Sequence, residues 1–154
     1  MATFDRDRLT ALFPALEWGS PTVVRCTEET RGAGTYIKAS GGRRRWGQVS
    51  IVCSPAFALS VRLEHRWPHD VSPTERSALD EALLAGIMQG LTSEEYPAWL
   101  CAVDAVKVGY VPEQTTRQAV NAAAAMAIQD ALRSPAWKLQ TWPPGAAPHG
   151  DEPA

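Results

Sequence analysis

Residues 57–65 read Phe-Ala-Leu-Ser-Val-Arg-Leu-Glu-His. Phe57, Leu59, Val61 and Leu63 point one way while Ala58, Ser60, Arg62 and Glu64 point the other, the period-two pattern of a strand with one covered face. The same alternation runs through Trp46–Cys53, where Val49, Ile51 and Cys53 oppose Ser50, Val52 and Ser54. Further upstream, Thr22–Thr27 and Gly34–Ala39 read as two strands joined around Glu28–Gly32, with Gly32 and Gly34 supplying positive φ for a tight hairpin.

Downstream the period changes. Ser72 as N-cap, Pro73 at the first helical position and Glu75 in the first turn predict a helix over 73–89, its apolar stripe being Leu79, Ala82, Leu83, Gly86 and Ile87. Trp99–Val108 is apolar on both faces, as an interior strand requires. Thr115 or Thr116 caps a second helix running to about Leu132. Its face of Val120, Ala123, Ala124, Ala127, Ile128 and Ala131 is small enough for close approach to a sheet. Strands followed by segregated helices define the fold class as α+β: a two-layer sandwich, a four-stranded sheet with two helices on one face.

A chain of 154 residues fits one domain, and 45% apolar with 21% charged residues is ordinary globular usage. The net charge of −2 excludes a histone-like protein held to nucleic acid by bulk charge. Charge is nevertheless polarised. Residues 25–47 hold six basic residues, among them Arg43, Arg44 and Arg45, against Glu28 and Glu29, a net of +4, whereas residues 69–104 are strongly acidic. Apolar runs are too short for a membrane span, and Asp5 and Asp7 stand where a secretory signal needs hydrocarbon, so the expected setting is cytoplasmic with no membrane partner. Residues 1–18 read as an N-terminal extension, 19–134 as the domain, and 135–154, with five of the twelve prolines, as a flexible tail bearing Trp137 and Trp142. Removing residues 143–154 is expected to leave thermal stability unchanged.

The chemically distinctive segment is Ser40-Gly41-Gly42-Arg43-Arg44-Arg45-Trp46-Gly47. Two glycines free the backbone, three guanidiniums match phosphate oxygens, and Trp46 offers a ring face to a base, a combination suited to RNA. A solvated basic turn is the competing reading. With no Gly-Lys-Ser/Thr and no helix following, it is not a nucleotide phosphate loop.

Gly19-Ser20-Pro21-Thr22-Val23-Val24-Arg25, followed by Lys38-Ala39-Ser40-Gly41-Gly42-Arg43 and Trp46-Gly47-Gln48-Val49, resembles domain IV of translation elongation factor G. Pro68, Pro73 and Gly86, Tyr96-Pro97, and Thr115-Thr116 through Met126-Ala127 continue the match in order, so the resemblance covers about residues 19–133. It implies that family's fold, including a left-handed β-α-β crossover that composition and periodicity do not reveal. It also implies a tip that enters the decoding region of the small ribosomal subunit. Carried over, the tip comprises Ser40–Trp46 and Gly109–Thr116, and the RNA-binding residues are Ser40, Gly41, Gly42, Arg43, Arg44, Arg45, Trp46, Tyr110 and Gln114. The second loop is shorter than the family's and lacks its histidine, and Arg44-Arg45 replaces a Gly-Gln pair. No GTPase segment is present in the sequence.

Other constellations carry little. Cys26, Cys53 and Cys101 lack any C-x-x-C spacing and read as buried apolar groups. His65 and His69 with Glu64 and Asp70 lack a third ligand for a metal, and Asp80-Glu81 and Glu94-Glu95 read as solvated faces. No serine occupies a G-x-S-x-G elbow. The expectation is a non-enzymatic, stand-alone protein without metal or cofactor whose partner is the ribosome or structured RNA. The alternative is a protein-interaction module that has lost ribosome binding, supported by the acidic flank and the tryptophan-bearing tail.

Overall fold

The computed structural model describes residues 2–13, 22–92 and 99–141. In chain order the elements are β1 (Ala2–Phe4), α1 (Arg6–Leu12), β2 (Thr22–Cys26), β3 (Thr30–Ser40), β4 (Arg43–Pro55), β5 (Ser60–Leu63), α2 (Pro73–Thr92), β6 (Trp99–Gly109), α3 (Arg117–Leu132) and β7 (Trp137–Thr141). The class is α+β, as the periodicity predicts.

β6 is the hub of one mixed sheet. It pairs antiparallel with β4 from Gln48↔Gly109 to Pro55↔Cys101, and parallel with β5 and with β2. β3 pairs β4, β1 pairs β5, and β7 pairs β2, each antiparallel. Alternate residues Val49, Ile51 and Cys53 of β4 and Cys101, Val103 and Ala105 of β6 are buried in one core with the apolar faces of α2 and α3. α3 begins where the sequence places it, with Thr116 accepting from the Ala119 amide at 3.1 Å.

The expected four-stranded sheet with two helices is a sheet of seven strands with three helices among the described residues: all five strand segments read from the sequence pair in it, and the chain ends add β1, α1 and β7. Asp5 caps α1, accepting from the Arg8 amide at 2.9 Å, and Leu9 is fully buried in the core. The expected N-terminal extension is therefore structured over 2–13. At the other end, residues 137–141 of the expected tail form β7, in register from Thr22↔Thr141 to Cys26↔Trp137. Thr27 donates to the Ala136 carbonyl through both its amide and its hydroxyl, and the Trp137 indole donates to the Ala131 carbonyl at 2.9 Å. Residues 142–154 lie outside the described part. A chain ending at Ser134 is thus expected to melt roughly 5 °C or more below one ending at Trp142 in a calorimetric scan, since it loses a strand and a docked indole.

The hairpin expected between β2 and β3 is not formed. β2 pairs with β6 and β7, and Gly32 and Gly34 lie inside β3. A Cβ on Gly32 would stand 2.0 Å from the Ala127 carbonyl oxygen, and one on Gly34 2.2 Å from that of Ala123. These glycines admit the backbone of α3 rather than turn the chain. The tight turn is Gly41-Gly42, with φ of 58° and 79° between paired Ser40 and Arg43, as a primed two-residue turn demands. β5 is also shorter than the predicted 57–65 strand, and Phe57 is 66% exposed.

Candidate nucleic-acid interface

β3 and β4 form a hairpin of eleven paired positions, Thr30↔Cys53 to Ser40↔Arg43. Its root is held by α3: Gly47 lies against the Ala119 backbone, where a Cβ would come within 2.5 Å of the carbonyl oxygen. Beyond that contact the hairpin continues as an arm whose residues 37–45 are all exposed.

Strand alternation sorts the side chains of the arm onto two faces. Gly47 faces α3, so Arg45, Arg43, and their neighbours Lys38 and Ser40 share the helix side. Arg45 donates to the Gln118 side-chain oxygen at 2.7 Å, which fixes that direction. Lys38 pairs directly with Arg45 and Ser40 with Arg43, and the four line a recess of about 260 Å³. Like charges directly opposite on a sheet are destabilising, and a bound anion removes the repulsion. The guanidinium forks suit a phosphate oxygen pair, while Lys38 adds a point charge.

On the opposite face stand Ile37, Ala39, Arg44 and Trp46, with Ile37 paired to Trp46 and 55% exposed. The three consecutive arginines are therefore divided two to one between the faces. The Trp46 ring packs on Gly109, where an added Cβ would meet it at 2.4 Å, and the Trp46 amide donates to the Gln114 carbonyl at 2.9 Å. Trp46 thus anchors the arm to the second loop.

That loop is a closed turn. The Gln114 and Thr115 amides both donate to the Val111 carbonyl, the Val111 amide donates to the Thr115 hydroxyl at 2.8 Å, and Glu113 takes φ of 66°. Gln114 is brought to the arm. Tyr110 is not: its ring meets Trp67 edge-on at 6.2 Å and packs at the margin of the core. Of the residues expected to bind RNA, the structure gathers Ser40, Gly41, Gly42, Arg43, Arg44, Arg45, Trp46 and Gln114 and sends Tyr110 elsewhere. It adds Lys38, whose place opposite Arg45 follows from counting pairs back from a two-residue turn.

The remaining polar groups have structural partners. Asp80, read from sequence as part of a solvated face, accepts at Oδ1 from Trp67 Nε1 at 2.7 Å and hydrogen-bonds His65 Nε2 at 2.9 Å. Burial opposes its charge, but the hydrogen bonds to His65 and Trp67 outweigh burial and hold the carboxyl below its ordinary value. Among the described residues no three His, Cys, Asp or Glu side chains converge as a metal set. Glu94-Glu95 lies outside the described residues. Cys26, Cys53 and Cys101 are free thiols buried in the core; burial pushes Cys26 up to about 11, and hydrogen bonding with Cys53, then burial, raises Cys101. Such thiols are poor nucleophiles.

No family model matches the sequence. A crystal structure from Thermus thermophilus is similar over 77% of this chain with a TM-score of 0.62 at 21% identity. The chain spans 18% of that protein's length. The likeness places this α+β sheet and its helices in a fold already seen within a much longer protein. Among the described residues no helix is long and apolar enough to cross a membrane.

Proposed function

We propose that the domain is an elongation factor G domain IV-like, non-enzymatic RNA-binding module that engages the ribosome or another structured RNA through the β3–β4 arm. The observation that carries this reading is the cross-strand pairing of Lys38 with Arg45 beside Arg43, three cations concentrated on one face of a projecting hairpin. The colinear resemblance supports it, because the arm is the element that corresponds to that family's tip. So does the place of the similar fold as a small part of a larger chain. The reading carries with it a left-handed path for β5–α2–β6, the parallel crossover of the sheet.

Replacing Arg43, Arg44 and Arg45 together with alanine is expected to weaken co-sedimentation with ribosomes. It should also lower the slope of log affinity against log salt by ~0.7–0.9 for each phosphate contact removed, the range from single-stranded to duplex nucleic acid. The thermal transition should stay in place, since exposed substitutions usually change stability by less than ~0.5 kcal/mol. If the triple variant sediments with ribosomes as well as the parent, or the parent does not bind at all, the RNA reading fails and the protein-interaction module replaces it.

A further inference from the structure

β3 is the outer strand of the arm, and the two-residue turn fixes which of its backbone groups the ladder uses. The pair flanking such a turn, Ser40↔Arg43, exchanges both of its backbone hydrogen bonds, and the pattern then alternates: Lys38, Tyr36 and Gly34 bond to β4, while Ala39, Ile37, Thr35 and Ala33 turn their N–H and C=O groups away from it. Ala33 shows the direction, because its amide donates to Asp130 Oδ2 at 3.0 Å, outside the ladder. That cap does not extend toward the turn. Among the described residues the backbone groups of Thr35, Ile37 and Ala39 have no partner, and all three residues are exposed.

Sheets ordinarily blunt a free edge by shortness, proline, a bulge or charge. β1 and β7, the other outer strands, are three and five residues long. β3 runs for eleven residues without a proline or a break in register, and the one charge on its open segment is Lys38, which lies on the helix side with Arg43 and Arg45. On the other face stand Thr35, Ile37 and Ala39, all uncharged, with Ile37 55% exposed. A strand laid along this edge meets cations through one set of its alternate side chains and an apolar row through the other. A second copy of the chain does not suit it. Two copies of β3 paired antiparallel would set Lys38 of each on one face, backed by Arg43 and Arg45 of both, and residues 35–46 hold no acidic group to offset them.

We propose that the β3 edge takes an extended segment of a partner protein in which acidic residues alternate with β-branched apolar ones. Its backbone pairs with the free groups of Thr35, Ile37 and Ala39, its carboxylates face Lys38, and its apolar side chains lie against Ile37 and Ala39. The backbone edge is separate from the recess offered to phosphate, so the proposal goes beyond the RNA reading and does not depend on it.

The test is a titration of the isotope-labelled full chain with the acetylated, amidated peptide Thr-Glu-Val-Glu-Val-Glu-Thr, read by hydrogen exchange at the amides of Thr35, Ile37 and Ala39. Saturating peptide should slow exchange at these amides about tenfold or more. The lysine counterpart, Thr-Lys-Val-Lys-Val-Lys-Thr, should give no saturable shift. N-methylation of the valines or of the glutamates, whichever set faces the edge, should abolish binding. Ile37→Pro removes one outward N–H at an edge position that tolerates proline, and should weaken binding about tenfold. Ile37→Lys keeps the backbone and removes the apolar neighbour; it should weaken binding severalfold with an unchanged thermal transition, since the residue is exposed. No saturable binding of the acidic peptide, binding that leaves all three amides exchanging freely, equal binding by both N-methylated forms, or undiminished binding by Ile37→Lys overturns the proposal. So does protection of these amides without peptide in a sample that sediments as a dimer, which gives the edge to a second copy. Protection by a structured RNA hairpin where the peptide gives none also overturns it, and makes the edge part of an RNA site.

Discussion

Gly34→Ala is expected to destabilise the protein severely. The added Cβ would stand 2.2 Å from the Ala123 carbonyl oxygen and 2.7 Å from the Ala127 amide nitrogen, both backbone atoms of α3. Neither can rotate away, so either α3 or β3 must shift. α3 carries seven buried residues, from Ala119 to Ala131, and its displacement would open the core along its whole length. Overpacking of a tight core costs ~1–3 kcal/mol and occasionally more, against a total stability of about 5–15 kcal/mol for an ordinary domain. We expect a loss of at least ~3 kcal/mol here, because the obstacle is backbone. Gly32→Ala meets the Ala127 carbonyl oxygen at 2.0 Å and should behave alike. The double variant should cost less than the sum, since one shift of α3 relieves both clashes. Urea denaturation midpoints measure this; a Gly34→Ala midpoint within error of the parent would show that α3 does not approach β3 so closely.

Asp80→Ala should produce the next largest loss, through missing acceptors rather than excess volume. Trp67 Nε1 and His65 Nε2 both lose their partner, and the His65 side chain is only 2% exposed. Its Nδ1 already lacks a partner among the described residues, so removal of Asp80 strands both ring nitrogens. An unpaired buried donor costs about 1–3 kcal/mol, which puts Asp80→Ala at roughly 2–4 kcal/mol once partial access of water to the site is allowed for. Asp80→Asn should recover much of this, because one acceptor oxygen remains.

The same site carries a pH signature. The Asp80 carboxyl lies below its ordinary value in the folded protein, so folding favours the charged form. Its contribution is present above the ordinary carboxylate range and is lost as pH falls through the depressed folded value. Between pH 5 and pH 2, about the range over which carboxylates titrate, the parent should therefore lose more stability than Asp80→Asn. Parallel stability curves for the two would show that Asp80 contributes no charged interaction.

Long periodic segments were legible from sequence because their burial pattern is local. α2 and α3 repeat an apolar face over several turns, β4 alternates through Trp46–Cys53 and β6 is apolar on both faces, and each stands where its pattern places it. β1, α1 and β7 were not, since three, seven and five residues are too few to display a period and what orders them is distant. Leu9 is buried by the core, and β7 exists because β2 offers an edge. Gly32 and Gly34 show a subtler failure. Glycine serves turns and close approaches equally well, and which use applies here depends on α3, some ninety residues later in the chain. At the interface, the arginine-rich turn was apparent from composition, and the Lys38–Arg45 pair follows from the register once the turn is known. The position of Tyr110 follows from neither, because its ring is directed by Trp67.

The arm has one property that bears on how it selects what it touches. A two-residue turn and a continuous ladder of strand pairs leave no loop to be ordered on encounter, so association restrains mainly the side chains of Lys38, Arg43 and Arg45. If the partner is RNA, as proposed above, accommodation falls to that partner, which would have to present its phosphates at a spacing set by neighbouring strands, ~4.8 Å across the hairpin. On the proposed RNA reading such an arm gauges a pre-existing shape, and a flexible single strand of identical charge would bind more weakly than a folded one because it gives up more conformational freedom on binding.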